Sequence, residues 1–200
     1  MKTINFTIVG YGGIGKTHAI GAYIANIKHQ LPLNLQLTHI VTRRPIDHIP
    51  PGVVNTTNIE DVLKNPTIDF IDICTPNDSH MEIAKKAAQY GKAIYCEKPL
   101  APSYDQSLHM LQEIRKHNVA SGVAFNYRFI PGVYLLKKAM KKEVIGDIID
   151  FKATLYHDSY LNPNKKGTWR TKADHGGGAL LDLGVHLIDI IHYTIGEIKT

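Results

Sequence analysis

Lys98 lies in the tripeptide Glu97-Lys98-Pro99, directly behind the apolar run 93–96 (Ala-Ile-Tyr-Cys). A lysine at the carboxyl end of such a strand can donate to a substrate oxygen and stabilise the alkoxide that forms as hydride leaves. Glu97 can orient it. A second group is spaced along a helix: Asp182, His186 and Asp189, at i, i+4 and i+7. At 100° per residue these fall within an arc of about 60°. The other positions of 179–195 are almost all Leu, Val or Ile. A helix apolar on most sides is buried, and ionisable groups on it are costly unless paired or used. His186 fits a general base and Asp182 its partner or a substrate anchor. A satisfied polar network inside a core is the competing reading. Gly184, which costs about 1 kcal/mol against alanine in a helix interior, implies close approach of a ligand or backbone.

A glycine-rich turn supplies the other half of the chemistry. Gly10-x-Gly12-x-x-Gly15 follows the strand-like run 4–9 and opens a helix reaching to about Lys28, the context a dinucleotide fingerprint requires. Gly10 makes the turn, Gly12 admits a pyrophosphate, and Gly15 lets the helix pack on the sheet. With Gly13 and Ile14 they form a phosphate cradle at a helix N-terminus. Cys74-Thr75-Pro76-Asn77 closes another strand and is placed to line the same pocket. The strand 35–42 ends in Thr42-Arg43-Arg44, with no Asp or Glu for the ribose hydroxyls. A hydroxyl followed by two guanidiniums suits a 2′-phosphate, so NADP is preferred mildly over NAD. His18, one turn into the helix, reads as a packing residue.

The elements that must position these groups alternate. Strands 4–9, 35–42, 68–74, 93–96 and 119–125 are interleaved with helices to about Lys28, at 79–90 and at 103–117. This order implies right-handed βαβ units and a doubly wound parallel sheet. After Phe125 the rhythm changes. A helix from Pro131 to Lys142 precedes an alternating run, 148–157, expected to be a strand of an antiparallel sheet, then a loop over 158–175 and the helix 179–195. Two domains are expected, 1–124 and 125–200, the second incomplete because one strand and two helices cannot cover a sheet.

Composition narrows the class. Of 200 residues, 44% are hydrophobic and 20% charged, as in an ordinary soluble protein. No apolar run approaches membrane-spanning length, and the N-terminus lacks a signal-peptide core, so a cytoplasmic protein without a membrane partner is expected. The charge of +5 is scattered, apart from Lys137-Lys138 and Lys141-Lys142 on what reads as a solvated face, so nucleic acid is not an expected partner. Cys74 and Cys96 read as buried free thiols, and no metal site is expected.

Together the motifs resemble the glucose–fructose oxidoreductase / inositol dehydrogenase / MocA family. The match rests on Gly10-Tyr-Gly-Gly-Ile-Gly-Lys-Thr-His18, Cys74-Thr-Pro-Asn77, Glu97-Lys-Pro99, Asn126-Tyr-Arg-Phe129, Trp169-Arg170 and Gly176-Gly-Gly-Ala-Leu-Leu-Asp-Leu-Gly-Val-His186. The resemblance implies a Rossmann domain followed by an α+β domain with a mostly antiparallel sheet. It implies an NAD(P)-dependent dehydrogenase that transfers hydride to or from a sugar, inositol or related polyol. Lys98 would be the catalytic lysine, His186 the acid/base and Asp182 its partner. Asn77 and Glu97 would border the nicotinamide, and Tyr127, Arg128, Trp169 and Arg170 would touch substrate. Family members usually continue well past this length to complete the sheet, often the surface through which they form homo-oligomers. A non-catalytic NAD(P)-binding regulator and an inactive truncated relative are the alternatives. Lys98, Asp182 and His186 together argue against a regulator.

Overall fold

The computed structural model describes residues 1–28, 32–158, 161, 164, 167, 172 and 175–197. Two compact units are present, Met1–Ala124 and Phe125–Thr200.

The first unit is built on six parallel strands: β1 (Lys2–Val9), β2 (Leu33–Val41), β3 (Val54–Thr56), β4 (Phe70–Ile73), β5 (Ala93–Cys96) and β6 (Ser121–Val123). Their order in the sheet is β3-β2-β1-β4-β5-β6. The chain therefore winds outward from β1 in one direction, then returns to β1's other side. Between β1 and β4 lies the switch point, where ligands bind outside the carboxyl ends of such sheets. The register aligns Val9 with Ile73, so the loops after β1 and β4 leave the sheet side by side.

Burial explains why the centre of this sheet reads as continuous apolar sequence. Ile8, Ile40, Ile71 and Ile73 are fully buried, as strands covered on both faces must be. One covering layer contains α3 (His80–Gln89), through Ala84, Ala87 and Ala88, and α4 (Tyr104–Lys116), through Met110 and Ile114. The N-terminus of α4 is capped by Ser103, whose hydroxyl accepts from the Gln106 amide, and its last turn carries Arg115 and Lys116. The Lys92 ammonium is buried, donating to the carbonyls of Asn65 and Ile68 at 2.6 and 2.8 Å. It ties down the turn that leads into β4.

Helix α1 (Gly13–Lys28) begins inside the glycine turn and ends where the sequence suggests. Strand β3 and the one-turn helix α2 (Glu60–Leu63) are not anticipated by the sequence reading. A three-residue edge strand is too short to show alternation.

In the second unit a 3₁₀ turn, Asn126–Phe129, leads into α5 (Pro131–Lys141), with Pro131 at the first turn, where its missing N–H costs nothing. A π-helical turn, Leu180–Gly184, then runs into α6 (Val185–Thr194), which packs on α5 and on the 3₁₀ turn. The expected strand over 148–157 does not form, and no strand pairing occurs among the described residues of this unit. Ile149 is almost completely exposed. Alternation prepares a segment for a sheet, but a strand exists only when a neighbour accepts its backbone hydrogen bonds. No such neighbour lies among these residues.

Candidate cofactor and catalytic site

The glycine turn behaves as its pattern predicts. Gly10 has φ +94°, and its amide donates to the Val41 carbonyl at 2.9 Å. A Cβ there would lie 2.8 Å from the Cys74 carbonyl oxygen. At Gly15 it would lie 2.2 Å from the Gly10 carbonyl oxygen, so helix and loop touch only because the side chain is absent. Above Gly12 and Gly13 nothing comes within 4 Å of a built Cβ. The cradle thus has a closed floor and an open mouth. The first amides of α1 have no intrahelical acceptor and carry the helix's partial positive charge. These features fit the pyrophosphate of a dinucleotide.

Thr42, Arg43 and Arg44 follow β2 as expected, with both arginines exposed. Among the described residues neither pairs with a carboxylate. The Thr42 hydroxyl serves the turn itself, donating to the Arg44 carbonyl at 2.7 Å and accepting from Asn55 Nδ2 at 2.9 Å. It braces the arginines' backbone, a task that the residue pattern alone does not reveal.

Two further loops converge on the switch point. The Cys74 amide donates to Val9 and the Glu97 amide to Ile73, which sets Cys74-Thr75-Pro76-Asn77 and Glu97-Lys98-Pro99 in adjacent rows. Glu97 Oε2 accepts the Lys98 amide at 3.1 Å, and the Lys98–Pro99 peptide is cis. Asn77 is buried at the start of a 3₁₀ turn, Asn77–Ser79. His80, completely buried, bridges the two loops. Its Nδ1 lies 3.0 Å from the Pro99 carbonyl oxygen and its Nε2 2.8 Å from that of Thr75. Burial lowers its pKa, while the two carbonyls pull the other way. Sequence reasoning missed His80, which adjoins the motif Cys74–Asn77.

His18 is more than a packing residue. Its Nδ1 lies 2.9 and 3.1 Å from the two carboxylate oxygens of Asp72, and its Nε2 lies 3.1 Å from Glu97 Oε1. Cys74 Sγ approaches Nδ1 at 3.3 Å. Burial disfavours the imidazolium, but hydrogen bonds with Asp72, Cys74 and Glu97, with the Asp72 charge, outweigh it and push the His18 pKa up to about 12. Burial pushes the Cys74 thiol up to about 12, against the opposing pull of His18.

In the second unit His186 is buried, its ring stacked on Tyr127 at 4.1 Å between centroids and met edge-on by Phe125 at 6.4 Å. Asp189, also buried, is engaged by Arg128, whose Nε donates at 2.8 Å while Nη2 donates to the other oxygen. This two-pronged pair answers the cost of burying the carboxylate. The structure therefore separates the expected polar stripe: Asp189 is a structural partner of Arg128, whereas Asp182 lies in the π-helical turn, whose wider winding breaks the uniform 100° phase. A Cβ at Gly184 would lie 2.9 Å from the Leu180 Cδ1 methyl, and the backbone next to it, the Ala179 carbonyl oxygen, would be at an ordinary 3.8 Å. Trp169 and Arg170 lie outside the described residues.

Comparison with known proteins bears on the family and the fold. Residues 4–125 match the family described as "Oxidoreductase family, NAD-binding Rossmann fold", and residues 133–200 match the "GFO/IDH/MocA C-terminal domain". The chain is 35% identical to levoglucosan dehydrogenase of Pseudarthrobacter phenanthrenivorans, across 98% of this chain and 52% of that protein. It is 30% identical to glucose-6-phosphate 3-dehydrogenase of Bacillus subtilis, across 96% and 53%. A solved levoglucosan dehydrogenase in complex with NADH and levoglucosan superposes with a TM-score of 0.90 at 33% identity, covering 99% of this chain and 55% of that one. The chain thus spans about half the length of the relatives it matches. With both family domains matched in order and the cradle geometry in place, the chain belongs to the Gfo/Idh/MocA family of oxidoreductases.

Proposed function

We propose that this chain carries the cofactor domain and the beginning of the substrate domain of an NAD(P)-dependent dehydrogenase. Its substrate is a sugar, inositol or related polyol, oxidised at a hydroxyl or reduced at the matching carbonyl. The observation that carries the reading is the cradle at the switch point, where Gly15 touches Gly10 and the mouth above Gly12 and Gly13 is open. The relatives named for levoglucosan and glucose 6-phosphate support a sugar-like substrate.

A bound nicotinamide supplies the hydride acceptor or donor. Lys98 donates a hydrogen bond to the reacting oxygen and offsets its developing charge. His186 accepts the hydroxyl proton or returns it, and Asp182 orients it. Tyr127 holds the imidazole by stacking, and Arg128, from the same turn, is fixed by Asp189. Tyr127, Arg128, Trp169 and Arg170 are the residues assigned to substrate. Asn77 and Glu97 border the nicotinamide, and Arg43 and Arg44 favour a 2′-phosphate, hence NADP over NAD. Homo-oligomerisation and a cytoplasmic setting complete the proposal; no described helix is long and apolar enough to cross a membrane.

A thermal-shift titration with NADH and NADPH tests the cofactor site, because a ligand of the native state raises the transition by mass action. Stronger stabilisation by NADPH is expected, and a transition that neither cofactor moves would refute the site. In an active form, Lys98→Ala and His186→Ala should each lower kcat/KM about 10²–10⁴-fold. Unchanged turnover would remove those two from catalysis.

A further inference from the structure

His18 closes the glycine motif without a role of its own in the function proposed above, yet it touches three elements of the cofactor domain. It stands on α1, whose N-terminus forms the phosphate cradle. Asp72, on β4, is 2% exposed and faces Nδ1 with both oxygens. Glu97, directly after β5, faces Nε2 with one oxygen and accepts the Lys98 amide with the other. We propose that His18, bridging Asp72 and Glu97, is a positioning residue that fixes Glu97-Lys98 for the nicotinamide end of the cofactor. This deepens the dehydrogenase reading and rests on it.

The charges give the bridge its direction. Asp72 and Glu97 are two carboxylates brought to one imidazole, with the Cys74 thiol at 3.3 Å and the Tyr95 ring at 5.8 Å as the other facing groups. Two anions at the ends of adjacent strands repel unless a cation stands between them. A charged His18, with both nitrogens donating, satisfies both. The Glu97 carboxylate is then held at both oxygens, by His18 and by the backbone of Lys98. Any rotation of Glu97 would release the Lys98 amide, so the clamp on one residue sets the next.

His18, Asp72 and Cys74 also bring three donor atoms within 4.8 Å of one another, a spacing that a metal ion accepts. A metal would need a deprotonated ring nitrogen and a thiolate. In the bridge both ring nitrogens already face carboxylates, Nδ1 that of Asp72 and Nε2 that of Glu97, and Cys74 Sγ faces the same Nδ1. The hydrogen-bonded bridge is therefore the reading the chemistry favours.

The test compares two ligands on the 200-residue chain. One is NADH or NADPH, whichever the wild type binds more tightly. The other is the matching ADP-ribose, with or without the 2′-phosphate, which fills the cradle but lacks nicotinamide. His18→Gln should weaken the dinucleotide about tenfold or more and leave ADP-ribose within about twofold, and Glu97→Gln should shift the same ratio. Equal losses for both ligands would mean that His18 merely supports the phosphate helix, and no loss would mean that the bridge is idle; either result overturns the proposal. Should His18→Gln lose its cooperative transition, Glu97→Gln carries the same two outcomes alone. A wild type that binds neither dinucleotide removes the cofactor reading itself, and the proposal with it, before any variant is made. Saturable stabilisation of the wild type by Zn²⁺, reversed by a chelator, would overturn the bridge in favour of a metal site.

Discussion

The two units differ in what they bury. Every buried hydrophobic side chain among the described residues lies before Phe125. In the second unit the buried side chains are His186, Asp189 and Thr194, while Phe129, Ile149 and Tyr156 stand more than 80% exposed. Both units contain apolar sequence in comparable runs. In the first, the central strands find their cover within the same 124 residues, from α3 and α4, although Ile20, Tyr23 and Ile27 on α1 stay exposed. In the second, α5, α6 and the 3₁₀ turn enclose a polar and aromatic cluster, and the alternating segment after Lys142 has no strand beside it among the described residues. Hydrophobic patterning specifies a surface to be covered; packing requires that the cover be present.

The sharpest way to break this contrast is to delete equal amounts of side chain in both places. Ile71→Ala should cost about 2–5 kcal/mol in denaturant unfolding of the first unit, the usual range for emptying a packed core site. Ile149→Ala should stay within about 0.5 kcal/mol, since nothing packs on it. A comparable loss at both would show that the exposed segment is covered in solution.

Glycines offer a second comparison. Gly15→Ala drives its Cβ into a backbone oxygen, and should cost about 1–3 kcal/mol or more and abolish nucleotide binding. Gly184→Ala meets only the end of a leucine side chain in a helical backbone. It should fall within about 1 kcal/mol of wild type, helix propensity offsetting the displaced methyl. Reversal of that order would mean that the cradle can relax and the second unit cannot.

A third comparison is in pH. The folded-state pKa of His18 is raised from 6.5 to about 12, so its contribution to stability is full below pH 6.5 and is lost as pH rises towards 12. Between pH 7 and 9 the native state holds one proton more than the unfolded chain. Wild-type stability should therefore fall by up to about 1.4 kcal/mol per pH unit relative to His18→Gln. Parallel profiles in thermal unfolding would show that His18 is neutral.

Much of this fold was legible because its signals are local. A glycine turn between an apolar strand and a helix located β1 and α1, and the short apolar run 93–96 matches β5 residue for residue. The cradle was readable for the same reason at Gly15, which touches Gly10 five residues earlier, while Gly10, whose contact is Cys74, was read from the spacing of the glycines alone. The bridge at His18 was not, because its partners lie 54 and 79 residues downstream and nothing in Gly15-Lys16-Thr17-His18 announces them. The stripe of Asp182, His186 and Asp189 assumed a uniform helix, and one π-helical turn was enough to give its members separate surroundings. The strand expected over 148–157 failed for a third reason: alternation describes a face, and a sheet needs an edge as well.

The raised pKa of the Cys74 thiol has a use at the bench. A thiol whose pKa is raised by burial is thiolate in a far smaller fraction of molecules at about pH 8 than an ordinary cysteine. Alkylating reagents then meet an almost inert sulfur while the ends of β4 and β5 stay closed. Each opening of that corner restores an ordinary thiol and a chance to react. The rate of labelling at Cys74 becomes a clock for local opening of the cofactor site, read by mass alone and needing no substrate.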